Sequence, residues 1–312
     1  MRRLYTFAIV AVLVVSLRSM DGQDLESGGQ RPAFRSGVDV IAMSVTVTDG
    51  SRRYVTDLDQ PDFHIFEDGR PQQVTFFQKS SLPLALALLI DTSASMELNL
   101  AVAQEAAIGF VRELSPVDVA SLIDFDTRVQ VLQGFTSDQA ALEAAIRKTA
   151  AGGSTALYNA VYIALKELNK TVLDETLAQS RRRAIVILSD GEDTSSLVAY
   201  DEVLALAARS DVAIYAIGLL GRDTSGVRRP NEAQFVLRRF AEQTGGRAFF
   251  PADAKELAGI YGDIKAELAN QYFLAYESNN PRRDGQFRRI AVRVEREGAL
   301  ARARPGYYAP TR

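Results

Sequence analysis

Four short, largely apolar runs, at residues 84–90, 119–125, 184–188 and 212–217, constrain this 312-residue chain more than any other feature. A strand that is apolar on both faces must be covered on both faces, which is the condition of a parallel sheet packed between helices. The stretches between the runs supply that cover. From about residue 98 to 114, Ala103, Ala107, Phe110, Val111 and Leu114 recur at spacings that share one helical face. Further helical stretches are expected at 138–149, 156–169, 199–209, 232–243 and 253–269. Strands alternating with helices predict an α/β fold with a doubly wound, mostly parallel sheet.

The flanks have a different style. Ile41, Met43, Val45 and Val47 alternate with Ala42, Ser44, Thr46 and Thr48, as in a half-buried strand. Residues 63–66 and 74–77 read as two more strands, with a tight hairpin turn at Glu67-Asp68-Gly69-Arg70 after the first of them. At the other end, 271–276, 287–294 and 299–308 are again strand-like. Neither flank has enough strands to be stable alone, so together they are expected to form a small β-sandwich into which the α/β domain is inserted. The arginine-rich end, with Arg282, Arg283, Arg288, Arg289, Arg293, Arg296, Arg302 and Arg304, is expected on a solvated sheet face. The single histidine, His64, alternates with Phe63 and Ile65 and is read as a structural strand residue.

The first residues, Met1-Arg2-Arg3, precede an apolar run at 7–17 that is too short to span a bilayer comfortably. A secretory signal peptide over 1–22, cut after Gly22, is expected, with an uncleaved anchor as the alternative. The expected division is then a signal peptide (1–22), a flexible lead-in (23–35), a β-sandwich (36–81 and 271–312) and an α/β domain (82–270). The formal charge is −3, or −5 without the first 22 residues, which argues against bulk nucleic-acid or anionic-membrane binding. With no cysteine in the chain, disulfides and thiolate metal sites are excluded, and any metal must be held by oxygen.

Open α/β sheets bind ligands beyond the carboxyl ends of their strands. Three groups of residues fall there: Asp91-x-Ser93-x-Ser95 after the first run, Gly152-Gly153-Ser154-Thr155 before a helix, and Ser189-Asp190-Gly191 after the third run. Carboxylates and hydroxyls of this kind suit a hard divalent cation. The set resembles the metal-ion-dependent adhesion site of the von Willebrand factor type A family, which combines Asp-x-Ser-x-Ser with a distant Thr and an Asp followed by Gly. The resemblance covers residues 83 to about 270 and matches at all five positions, Asp91, Ser93, Ser95, Thr155 and Asp190. It implies that Ser93, Ser95 and Thr155 supply hydroxyl oxygens, while Asp91 and Asp190 hold the ion directly or through water. The implied ion is Mg²⁺, with Mn²⁺ and Ca²⁺ as alternatives, and the implied partner is a protein presenting an Asp or Glu. The flanking segments look like a group of bacterial exported proteins related to type A domains, through Asp62-Phe63-x-Ile65-x-Glu67-Asp68-Gly69 and Arg304-Pro305-Gly306-Tyr307. The expected function is cation-dependent protein binding without catalysis. No nucleic acid is expected, and a membrane only if the N-terminal segment is an uncleaved anchor.

Simpler readings compete residue by residue. Asp91 could cap the following helix, although capping accounts for one oxygen residue rather than three alternating ones. Thr155 alone would be read as a helix cap, and Glu192 and Asp193 as solvated loop acids. A structural or assembly scaffold with a fold-stabilising metal is the second reading. An aspartic-protease-like hydrolase is a third, since Asp91-Thr92-Ser93 and Asp193-Thr194-Ser195 repeat one tripeptide. The helices between the two copies contradict the β-rich scaffold such a dyad requires.

Overall fold

The structure, a computed structural model, describes residues 40–79, 82–173, 181–190, 192–219 and 232–311. The expected signal peptide and lead-in lie outside the described residues, as does Gly191. In chain order the elements are β1 (Val40–Thr48), β2 (Phe63–Glu67), β3 (Arg70–Gln72), β4 (Val74–Lys79), β5 (Leu84–Asp91), α1 (Leu100–Arg112), β6 (Val119–Phe125), β7 (Val129–Thr136), α2 (Gln139–Ile146) and α3 (Leu157–Leu173). There follow β8 (Arg182–Ser189), α4 (Tyr200–Arg209), β9 (Val212–Gly218), α5 (Glu232–Thr244), β10 (Ala248–Phe249), α6 (Leu257–Ala269), β11 (Tyr272–Glu277), β12 (Phe287–Val294), β13 (Leu300–Arg302) and β14 (Gly306–Tyr308).

The central sheet has six strands in the order β10-β9-β8-β5-β6-β7, parallel except for β7 at one edge. Every residue of β5 is buried because the strand serves two cores at once. Leu84, Leu86, Leu88 and Ile90 pack with α1, α2 and α6, whereas Ala85, Ala87 and Leu89 pack with α3, α4 and α5. The β5 run is unbroken for this reason, and the fold is the doubly wound α/β one the sequence predicts. Two strands were not expected. The edge strand β7 mixes exposed and half-buried residues without a clear period, and β10 is only two residues long.

The end segments form two antiparallel four-stranded sheets, β13-β1-β11-β4 and β14-β12-β2-β3. Both contribute to one core, in which Met43, Val45, Phe63, Ile65, Tyr272, Leu274, Tyr276 and Ile290 are buried. The first and last parts of the chain interleave: β1 pairs with β11, Val40 opposite Glu277 through Val45 opposite Tyr272. The α/β domain is thus an insertion between β4 and β11. The hairpin after β2 turns through Asp68 (φ 47°) and Gly69 (φ 80°), both left-handed, as a tight two-residue turn requires. His64 is exposed and lies 2.9 Å from Glu295.

The arginine-rich end departs from expectation. Arg289, Arg293 and Arg296 do face solvent. Arg288 instead lies on the buried side of β12, 3.5 Å from the equally buried Glu67, to which the hydroxyls of Tyr276 and Tyr307 also donate. Arg302 pairs with Glu267 of α6, and Arg304 reaches Asp211 at 2.6 Å and the Ala42 carbonyl at 2.7 Å. Alternation along one strand carries no information about an acid more than thirty residues away, so three of these side chains join the sandwich core or its contact with the α/β domain instead of a solvated face.

Candidate metal site

The chain leaves β5 toward β6 on one side and returns through α3 to β8 on the other, so the carboxyl ends of β5, β6 and β8 meet where the strand order switches, the place at which open α/β sheets hold ligands. Asp91 ends β5. Its Oδ1 accepts the Ser93 amide at 2.9 Å, an aspartate turn that redirects the chain into a short 3₁₀ turn, Ala94–Leu98. Neither Ser93 ahead of that turn nor Asn99 ahead of α1 makes a side-chain capping bond. The hydroxyls and the carboxylate are therefore not engaged as caps. They meet one another: Ser93 Oγ lies 3.0 Å from Ser95 Oγ, which donates to Asp190 Oδ1 at 2.7 Å, and Ser189 Oγ donates to Asp91 Oδ2 at 2.5 Å.

Thr155 reaches the same face through its backbone. The Gly152 amide donates to the Thr92 carbonyl (2.7 Å) and the Ala94 amide to the Gly153 carbonyl (3.1 Å), which ties the glycine loop to the Asp91 turn. The Thr155 carbonyl accepts from the Thr194 and Ser195 amides, which ties it to the loop after β8. Gly153 cannot be replaced freely. Its φ is +73°, and an added Cβ would stand 2.6 Å from Thr127 Oγ1 and 3.2 Å from Asp126 Oδ2.

Asp193 is not a solvated loop acid. Its Oδ2 accepts the Tyr158 amide at 2.9 Å and the Ser196 hydroxyl at 2.5 Å, and Ser196 Oγ accepts the Asn159 amide at 3.0 Å. These two residues cap the open amides of α3 from another segment of the chain. The carboxylate is committed there rather than facing Asp91, which removes the dyad an aspartic protease would need. Glu192 is exposed, as expected.

Two positions escaped the sequence reading. Thr92 donates to Asp124 Oδ1 at 2.5 Å, and its amide bonds the Phe125 carbonyl, so the residue between Asp91 and Ser93 anchors the turn to β6. Asp124 stands near the carboxyl end of a sheet strand, the one signal that could have marked it. Ser189 holds Asp91 but reads in the sequence as the last residue of a strand.

The electrostatics are those of a crowded acidic pocket. Asp91 is wholly buried, and burial above all pushes its carboxyl up to about 6, against the lowering hydrogen bonds from Ser189 and Ser93 and with the added charge of Asp190. Burial also raises Asp190 and Asp124. Among the described residues no group of three His, Cys, Asp or Glu side chains could hold a metal, so any ion here must use hydroxyls as well. The donors are all oxygen, two of them carboxylates, and among the described residues no cationic side chain stands against the buried charge of Asp91. That set fits Mg²⁺ and similar hard ions.

Residues 86–192, about a third of the chain, match the model of the von Willebrand factor type A domain family. The chain is 25% identical over 221 residues to inter-alpha-trypsin inhibitor heavy chain H1 of Sus scrofa, a match covering 67% of this chain and only 23% of that protein. Among solved structures, a von Willebrand factor type A protein from Catenulispora acidiphila superposes with a TM-score of 0.52 at 14% identity, covering 89% of this chain and 76% of the other. An aerotolerance-related membrane protein from Bacteroides fragilis is also similar, with a TM-score of 0.47 at 18% identity over 59% of this chain and 98% of that one. Domains of this class are in general protein-interaction modules.

Proposed function

We propose that Asp91, Ser93, Ser95, Thr155 and Asp190 bind a divalent cation, Mg²⁺ foremost, and that the site recognises an acidic group on a partner protein without breaking bonds. The observation that carries this reading is the direct side-chain contact among Ser93, Ser95 and Asp190, beside a buried Asp91 carboxylate whose charge no cationic side chain among the described residues offsets. When bound, the ion supplies an electrophilic position for an outside carboxylate oxygen. The protein's part is to hold the hydroxyls: Thr92 and Asp124 anchor the Asp91 turn, and Asp193 with Ser196 fixes α3 behind Thr155.

The same reading places the protein outside the cytoplasm, on the strength of the basic start and short apolar run at 7–17, and treats 36–81 with 271–312 and 82–270 as its two domains. Among the described residues no helix is long and apolar enough to cross a membrane.

Calorimetric titration of the full chain with Mg²⁺, Mn²⁺ and Ca²⁺, and of Asp91→Ala beside it, tests the metal. Binding to the parent and its loss in the variant are expected, and unchanged binding in the variant sinks the assignment. Cross-linked capture of partners in Mg²⁺ against EDTA separates recognition from a fold-stabilising role, because a scaffold keeps its partners as long as EDTA leaves it folded.

A further inference from the structure

Among the described residues the two most exposed large apolar side chains are Leu98 and Leu197, at 93% and 95%. Both stand on loops of the candidate metal site. Leu98 closes the turn Ala94–Leu98, three residues beyond Ser95. Leu197 lies seven residues after Asp190, and the Ser95 to Asp190 hydrogen bond joins the loops that carry the two leucines at 2.7 Å.

Neither leucine is carried on slack chain. The turn under Leu98 is fixed by the wholly buried Met96 and by the Asn99 amide, which donates to the Met96 carbonyl at 2.8 Å. The Leu197 and Val198 amides both donate to Asn159 Oδ1 at 3.1 Å, in the first turn of α3. A lone exposed leucine needs no explanation, whereas two on fastened loops at one site form a preformed apolar contact that loses little entropy when it is covered. The charges beside them, Glu97 and Glu192, are acidic and exposed. They oppose an anionic lipid surface, and they oppose a partner rich in acids.

We infer that Leu98 and Leu197 grip a protein segment in which a single carboxylate is flanked by apolar side chains. The carboxylate goes to the ion proposed above, so the inference rests on that reading, and the leucines decide which acidic residues are accepted.

The test uses the full chain and immobilised synthetic peptides with a central Asp flanked by Leu, by Ser or by Glu, in Mg²⁺ and in EDTA. Capture in Mg²⁺ is expected to be strongest for the Leu-flanked peptide, about ten-fold weaker for the Ser-flanked one, and weakest for the Glu-flanked one. The double variant Leu98→Ser with Leu197→Ser is expected to reduce the first to the level of the second while leaving the Mg²⁺-induced rise in Tm unchanged. Both side chains are almost fully exposed, so the variant should fold, and its Tm in EDTA checks that it does. Equal capture of the three peptides, no capture, or a leucine preference that survives in the variant overturns the inference. So does leucine-dependent self-association or binding to phosphatidylcholine vesicles without any peptide preference, which would assign the leucines to a second copy or to a membrane. Failure of the underlying reading looks different: Mg²⁺ then leaves the Tm of the parent chain unmoved.

Discussion

Replacing Asp91 by Asn probes the electrostatics of the site directly. Burial holds the Asp91 carboxyl at about 6 against an ordinary 3.8, so the folded, metal-free chain carries this charge at a cost. At about 1.4 kcal/mol for each pH unit between the two values, the cost is about 3 kcal/mol near neutrality. The sign follows from the raised value. Below about pH 4 the group is protonated in folded and unfolded chains alike and the penalty vanishes, it grows as pH rises toward 6, and above that it is complete. Asn has nearly the same shape without the charge. Its oxygen can still accept the Ser93 amide, and the Ser189 hydroxyl can turn to accept from its nitrogen. In EDTA at pH 7 the variant is expected to melt higher than the parent by about 6 °C, taking about 2 °C per kcal/mol for a chain of this size. The gap should close toward pH 4. Mg²⁺ should then raise the Tm of the parent and leave that of the variant where it was. Calorimetric melts from pH 4 to 8, with and without Mg²⁺, measure all three quantities. A variant that melts below the parent in EDTA at pH 7, or a gap that ignores pH, refutes the claim that the Asp91 charge is buried at a cost.

Gly153→Ala should destabilise the chain by about 1–2 kcal/mol from its left-handed backbone alone, with a further loss from the contact with Thr127, and should weaken Mg²⁺ binding; urea melts and calorimetry read the two effects. Asp193→Ala uncaps α3 and should cost about 1 kcal/mol, seen as a lower urea midpoint with an unchanged slope. Glu67→Ala leaves Arg288 without its buried acid and should cost about 3–5 kcal/mol, unless Arg288 is replaced by Met in the same chain, in which case much of the loss should return. Tyr261 is buried against Phe110, with ring centroids 5.0 Å apart, and its hydroxyl has no hydrogen-bond partner among the described residues. Tyr261→Phe should therefore raise stability by about 1 kcal/mol, and a lower Tm would show that the hydroxyl is satisfied after all.

What could be read from the sequence follows from how locally each feature is determined. The strands β5, β6, β8 and β9 announce themselves because burial on both faces keeps them largely apolar, Ser121 and Asp124 of β6 apart, and the helices keep their apolar stripes. The edges do not, since β7 and β10 answer to one neighbour each and carry little pattern. At the site, the order Asp91, Ser93, Ser95, Thr155, Asp190 is legible because each residue follows a recognisable run or glycine pair. The supports are not. Asp193 serves a helix that begins 36 residues before it, and Thr92 anchors to Asp124 on a neighbouring strand. Arg288 and Arg304 show the same limit in the sandwich, where the deciding acids, Glu67 and Asp211, are far along the chain.

The chain leaves the sandwich after Lys79 and returns at Tyr272, and these two residues face each other across adjacent strands. Tension applied through residues 40 and 308 therefore runs through the sandwich, while the inserted domain hangs from two neighbouring points and stays outside the load path. A partner held at the proposed metal site would be pulled on differently: its force would enter the α/β domain and pass to the sandwich through that paired stem, together with the Arg302 and Arg304 contacts. The insertion thus leaves the sandwich as the mechanical mount, so the candidate site keeps its shape until the mount itself gives way.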